Sequence, residues 1–166
     1  MQKSIKQKRT IFMSPYTLVD SPLETQDIAR RIVLACAGRP RTHALCIALI
    51  GELGAGKTTF AQGIARALGI TRPMPSPTFI LMREVALPKE CEGLRTLYHF
   101  DWYRLHRAQD VKKLGWQTII KDPRNIVVVE WADRFPVLLP AHALRIHLTH
   151  KDKGRAISIK GSNGIL

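Results

Sequence analysis

Residues 51–58 read Gly51-Glu52-Leu53-Gly54-Ala55-Gly56-Lys57-Thr58, the G-x-x-x-x-G-K-T pattern of a phosphate-binding loop. The pattern constrains the fold because its chemistry needs a strand before it and a helix after it. The glycines let the backbone curl so that successive N–H groups point at phosphate oxygens. Lys57 is placed to reach β- and γ-phosphates, and the Thr58 hydroxyl to bind Mg2+. The flanks fit. His43 to Ile50 is an apolar run of buried-strand length. From Thr59 to Leu68, residues Phe60, Ile64, Ala67 and Leu68 fall on one helical face, and Gly69 stands where a helix ends. Strand, loop and helix N-terminus come in the order that anion binding requires.

The rest of the chain extends this unit into an alternating α/β pattern. Tyr16 to Val19 predicts a short strand. Ser21-Pro22-Leu23-Glu24 predicts a capped helix start, followed by Ile28, Ile32, Ala35 and Cys36 at helical spacing and ended by Gly38. Prolines 73, 75 and 77 make residues 71–79 an extended, stiffened loop. A strand is expected over 79–85, a polar connection over 86–93, and a strand over 95–100 ending at Asp101. Helical stretches are expected near 107–114 and 116–120, and a buried strand over 126–129 ending at Glu130. Two late strands, 142–149 and 155–160, flank a hairpin turn at 151–154. The expected fold is a three-layer α/β domain of the P-loop NTPase type, with a parallel core and a C-terminal antiparallel hairpin added at the edge. The region 98–101 is compatible with either strand direction.

Of the 166 residues, 1–15 read as a basic, flexible tail and 16–166 as one domain. No apolar run approaches the roughly 20 residues of a bilayer span, so a cytoplasmic protein without membrane attachment is expected. Three cysteines (Cys36, Cys46, Cys91) without C-x-x-C spacing point away from a disulfide scaffold and from zinc. His147 and His150 are too isolated to suggest a metal site. The net charge of +13 favours polyanionic partners, but it is spread along the chain and forms no RNA-binding signature.

Two strands ending in an acid complete a candidate site. Ligands of such sheets bind beyond the carboxyl ends of the strands, where Asp101 and Glu130 would stand. One acid would hold Mg2+, directly or through water, and one would orient the attacking water. Ser76-Pro77-Thr78 is a candidate switch, with Thr78 sensing the γ-phosphate or the metal. Trp131 is open to three roles: core, pocket wall or partner anchor. Taken this far, the residues favour a Mg2+-dependent ATP hydrolase with Lys57, Asp101 and Glu130 as catalytic groups. A small-molecule kinase with Arg104 and Arg107 on a lid is the alternative, and a basic RNA-binding module with a degenerate nucleotide site is a third reading.

Combined, the segments 51–60, Ser76-Pro77-Thr78-Phe79, His99-Phe100-Asp101-Trp102-Tyr103-Arg104-Leu105 and Val129-Glu130-Trp131 resemble the TsaE (YjeE) family of ATPases in tRNA threonylcarbamoyladenosine biosynthesis. The resemblance implies ATP at Gly54, Ala55, Gly56, Lys57, Thr58 and Thr59, Mg2+ at Thr58 and Glu130, and an essential acid at Asp101. It also implies Thr25, within an S-x-x-x-T match begun by Ser21, beside the adenine, and Arg155 approaching the nucleotide. Partners of the TsaB and TsaD type are implied, acting on adenosine 37 of tRNAs that read codons beginning with A. ATP hydrolysis would reset that complex, and turnover alone is expected to be slow. Two departures, the basic tail and the Lys112-Lys113 pair where relatives carry more acids, bear on partner contacts rather than on ATP chemistry.

Overall fold

A computed structural model describes residues 16–160 of the protein; the tail expected over 1–15 lies outside them. The chain enters through β1 (Thr17–Val19) and turns into α1 (Pro22–Ala37). Ser21 caps this helix by accepting from the Glu24 N–H at 3.2 Å, while the Glu24 carboxylate accepts from the Asp20 N–H at 2.8 Å. Ala29, Ile32, Val33 and Cys36 form its buried stripe. After β2 (Leu45–Ile50) comes α2 (Lys57–Ala67), which packs against α1. Gly63 permits that contact: a Cβ there would lie 2.7 Å from both Cα and the carbonyl oxygen of Gln26. The two helices therefore approach backbone to backbone, and only hydrogen fits between them.

The remaining elements are β3 (Met82–Cys91), β4 (Leu94–Asp101), α3 (Ala108–Lys113), α4 (Trp116–Ile119), β5 (Asn125–Glu130), β6 (Leu144–His150) and β7 (Arg155–Lys160). Short 3-10 turns at 132–134 and 136–138 follow β5. The seven strands form one sheet in the order β1-β7-β6-β2-β5-β4-β3. Strands β6, β2, β5 and β4 are parallel, and β3, β7 and β1 join by antiparallel pairs. Alternation along β2 and β5 splits the apolar side chains between two cores. Ile47, Leu49, Ile126 and Val128 face α1 and α2, whereas Cys46, Ala48, Val127 and Val129 face Trp102, Val111 and Trp116. This is the expected three-layer α/β arrangement.

Three details differ from the sequence reading. Residues 79–81 are a turn instead of the start of a strand. The Leu81 N–H donates to the Pro77 carbonyl at 2.6 Å, and Leu81 has φ +66°. β3 begins at Met82 and runs through the expected polar connection to Cys91. It is an edge strand: Lys89 and Glu90 are exposed, and pairing with β4 runs over 82–86 and resumes at Cys91. The register shifts between Ala86 and Cys91, around Pro88, which has no N–H to donate. The late hairpin is antiparallel as expected, β6 with β7, but it is not added at the edge, because β6 also lies parallel to β2 and extends the central sheet. Of the two directions left open for residues 98–101, β4 takes the parallel one and sets Asp101 beside Glu130 in register.

Candidate nucleotide site

Because β2, β5 and β4 are parallel, their carboxyl ends share one edge of the sheet, and the glycine loop, Glu130 and Asp101 converge there. Gly56 opens α2 in the left-handed region at φ +101°, which a side chain would strain. The first helical bond runs from the Phe60 N–H to the Gly56 carbonyl at 2.9 Å. The N–H groups of Lys57, Thr58 and Thr59 therefore have no intrahelical acceptor and face the anion position at the positive end of the helix.

The Lys57 ammonium donates to the carbonyls of Gly51 at 2.7 Å and Glu52 at 2.8 Å, and it lies 3.7 Å from the centre of the Trp131 ring. Burial holds its pKa below the ordinary lysine range, with Glu130, Asp133 and Asp101 opposing the shift. Trp131 adopts φ +58°, in the left-handed region, directly after β5, and it packs on Tyr103 with ring centroids 4.9 Å apart. A tryptophan held there is backbone strain at a site. The residue forms a wall of the cleft and packs in part against the second apolar core.

The Thr58 hydroxyl donates to Glu130 Oε2 at 2.8 Å. On the other oxygen, Glu130 Oε1 is 2.9 Å from Nε2 of His99, a fully buried residue. Asp101 is equally constrained. Its Oδ2 accepts from the hydroxyls of Ser76 and Thr78, each at 2.6 Å, and its Oδ1 accepts from the Tyr103 N–H at 2.8 Å. The proline-stiffened loop is thus tied to the end of β4 through two side-chain hydroxyls.

A cleft of about 300 Å³ is lined by most of the expected residues: Gly54, Gly56, Lys57, Thr58, Thr59, Thr78, Asp101, Glu130 and Arg155. Arg155 reaches the loop from β7 and stands 3.3–3.4 Å from the Gly54 carbonyl. Ala55, also expected at the nucleotide, is buried and does not line the cleft, and its N–H donates to the Glu52 carbonyl at 3.2 Å. Thr25 stands apart: it is buried on α1, its hydroxyl donates to the Ser21 carbonyl at 3.2 Å, and it does not line the cleft. Arg104 and Arg107 do not line it either, and Arg104 stacks over Phe79 at 4.4 Å. Sequence reasoning assigned no role to His99, Ser76 or Tyr103 as groups that shape the carboxylates. The H-x-D alternation held a signal, since it puts His99 and Asp101 on one face of β4.

The donor set fits Mg2+. Thr58 and Glu130 offer hard oxygen ligands at the mouth of an anion cradle, and no cluster of three or more His, Cys, Asp or Glu side chains able to hold a metal occurs among the described residues. Mg2+ is held in just this way, by few protein oxygens together with phosphate and water.

Residues 19–157 match the family model described as threonylcarbamoyl adenosine biosynthesis protein TsaE. The chain belongs to the TsaE family. Among curated TsaE proteins, that of a Nostoc species is 41% identical over 70% of this chain and 70% of its own length. The Bacillus subtilis protein is 36% identical over 76% and 72%. Both carry the name tRNA threonylcarbamoyladenosine biosynthesis protein TsaE. The crystal structure of Bacillus subtilis YdiB superposes with a TM-score of 0.63 at 30% identity, covering 89% of this chain and 85% of that one. The TsaE match spans every element that builds the cleft, from the end of β1 into β7. No described helix is long and apolar enough to cross a membrane.

Proposed function

We propose that this TsaE-family protein is a Mg2+-dependent ATP hydrolase serving threonylcarbamoylation of adenosine 37 in tRNAs that read codons beginning with A. It works in the cytoplasm with partners of the TsaB and TsaD type, and its hydrolysis resets their transferase complex. The observation that carries the reading is the meeting of the phosphate-loop hydroxyl with a strand-end carboxylate, Thr58 with Glu130 at 2.8 Å, in a cleft that also holds Lys57 and Asp101. The names of the relatives support the tRNA-modifying role.

In this reading the amides of residues 57–59 and the Lys57 ammonium hold the phosphates, with Lys57 exchanging its two carbonyl acceptors for phosphate oxygens. Thr58 and Glu130 would hold Mg2+, which would neutralise phosphate charge when bound. Asp101 orients the attacking water and accepts its proton. Ser76 and Thr78, bonded to the same carboxylate, make the loop 71–78 responsive to what Asp101 binds. Trp131 and Tyr103 wall the cleft against water. Turnover by the chain alone is slow and rises with partners.

The test is ATP hydrolysis with and without TsaB- and TsaD-type partners, run beside tRNA modification, with Lys57→Ala and Asp101→Ala proteins as controls. Partner-stimulated phosphate release and loss of repeated modification cycles with the Asp101 variant are expected. Full hydrolysis by the Lys57→Ala protein sinks the reading, and a phosphorylated small-molecule acceptor in place of free phosphate moves it to a kinase.

A further inference from the structure

His99 is a fully buried residue of β4 whose ring makes one hydrogen bond, to Glu130 Oε1 at 2.9 Å. Its Nδ1 is buried and has no hydrogen-bond partner among the described residues. Directly across the antiparallel pair, Arg83 of β3 stands opposite His99, and its Nε is likewise buried without a partner among the described residues. A carboxylate only accepts. The contact with Glu130 therefore puts a proton on Nε2, where it is donated to Oε1.

The consequence lies at the carboxylate. Glu130 shares its two oxygens between His99 on Oε1 and Thr58 on Oε2. A glutamate carboxyl turns readily about its last torsion, and a rigid buried donor on one oxygen sets the direction of the other. We propose that His99 is a positioning residue for Glu130, holding Oε2 toward Thr58 so that the Mg2+ position is preset before nucleotide arrives. The inference rests on the proposed Mg2+ role of Thr58 and Glu130. It differs from an ordinary core histidine in what it controls: a core residue sets stability, whereas this one sets the Mg2+ requirement.

Two substitutions separate the roles. In His99→Gln the amide nitrogen comes near the Nε2 position and keeps the donor to Glu130. In His99→Asn the amide is one methylene shorter and loses it. Binding of a fluorescent ATP analogue is titrated with Mg2+, and thermal melting and the kcat and KM for ATP are recorded alongside. The Asn protein is expected to bind the analogue normally without Mg2+ but to need about 10- to 100-fold more Mg2+ for half-effect, the usual cost of losing such a supporting contact. Its kcat should recover at high Mg2+, and the Gln protein should stay near wild type. An Asn protein with lowered melting temperature and an unchanged Mg2+ midpoint overturns the proposal. If the wild type shows no Mg2+ effect at all, the metal reading of the site falls, and this inference with it. Nitrogen-15 NMR of the wild-type histidine rings decides the matter without any variant: an Nε2–H ring at His99 that shifts on Mg2+ addition is expected, and an Nδ1–H tautomer overturns it.

Discussion

A hydroxyl and a carboxylate 72 positions apart in the chain meet at 2.8 Å in Thr58 and Glu130. At the residue scale the chemistry depends on such meetings. Asp101 spends its oxygens on Ser76, Thr78 and the Tyr103 backbone, which hold it at one angle to the cleft. Asp101→Asn should keep the fold and part of this network but, in the proposed reading, lose the acceptor of the water's proton. Its kcat for ATP hydrolysis is expected to fall by about 10²-fold or more, with melting temperature nearly unchanged. Steady-state phosphate release and a thermal melt check this. Gly56→Ala should fail differently, at binding. A Cβ at φ +101° is strained and would sit 3.3 Å from Arg155 Cδ. Weakened binding of a fluorescent ATP analogue by the folded protein is the expected result. The residue types at this site were legible in the chain, because G-K-T and two acid-ended strands carry their chemistry openly. The role of His99 was not, since it depends on a neighbour strand that local pattern does not name.

At the scale of elements, the approach of α1 to α2 is set by Gly63. A methyl group there would meet the Gln26 backbone at 2.7 Å, and the backbone has little room to yield. Gly63→Ala should gain helix propensity yet lose net stability, by about 1–3 kcal/mol as overpacking costs; the midpoint of urea unfolding reads it. A rise in midpoint would mean that the helices separate without penalty. The helices and central strands were readable because their apolar spacing is strong. β3 was harder. Its outer residues are polar because it lies at the edge of the sheet, and the same polarity reads as a loop when pairing is not in view. The turn at 79–81 was obscured for the opposite reason: Phe79, Ile80 and Leu81 look like strand residues, yet Phe79 is 82% exposed and the chain there folds back on Pro77.

Over the whole molecule, two apolar cores on opposite faces of the sheet enclose Cys36 and Cys46, whereas Cys91 at the end of β3 is half-buried. Burial pushes the Cys36 thiol up to about 11 and the Cys46 thiol up to about 12. At about pH 8 both stay protonated and unreactive while folded. A thiol reagent should therefore label Cys91 promptly, with Cys36 and Cys46 following only on denaturation, as mass spectrometry of digested protein will show. Prompt labelling of Cys46 would contradict the packing of β2. By itself the sequence determined the phosphate loop, the strand and helix that frame it, and the acids that end two strands, because these are properties of neighbours along the chain. Tertiary structure alone decided that β4 runs parallel to β5, that β6 widens the central sheet, that Arg155 reaches the loop from β7, and that His99 holds Glu130. Each of these depends on strand direction and register between distant segments, which are fixed by the burial of both faces of the sheet at once.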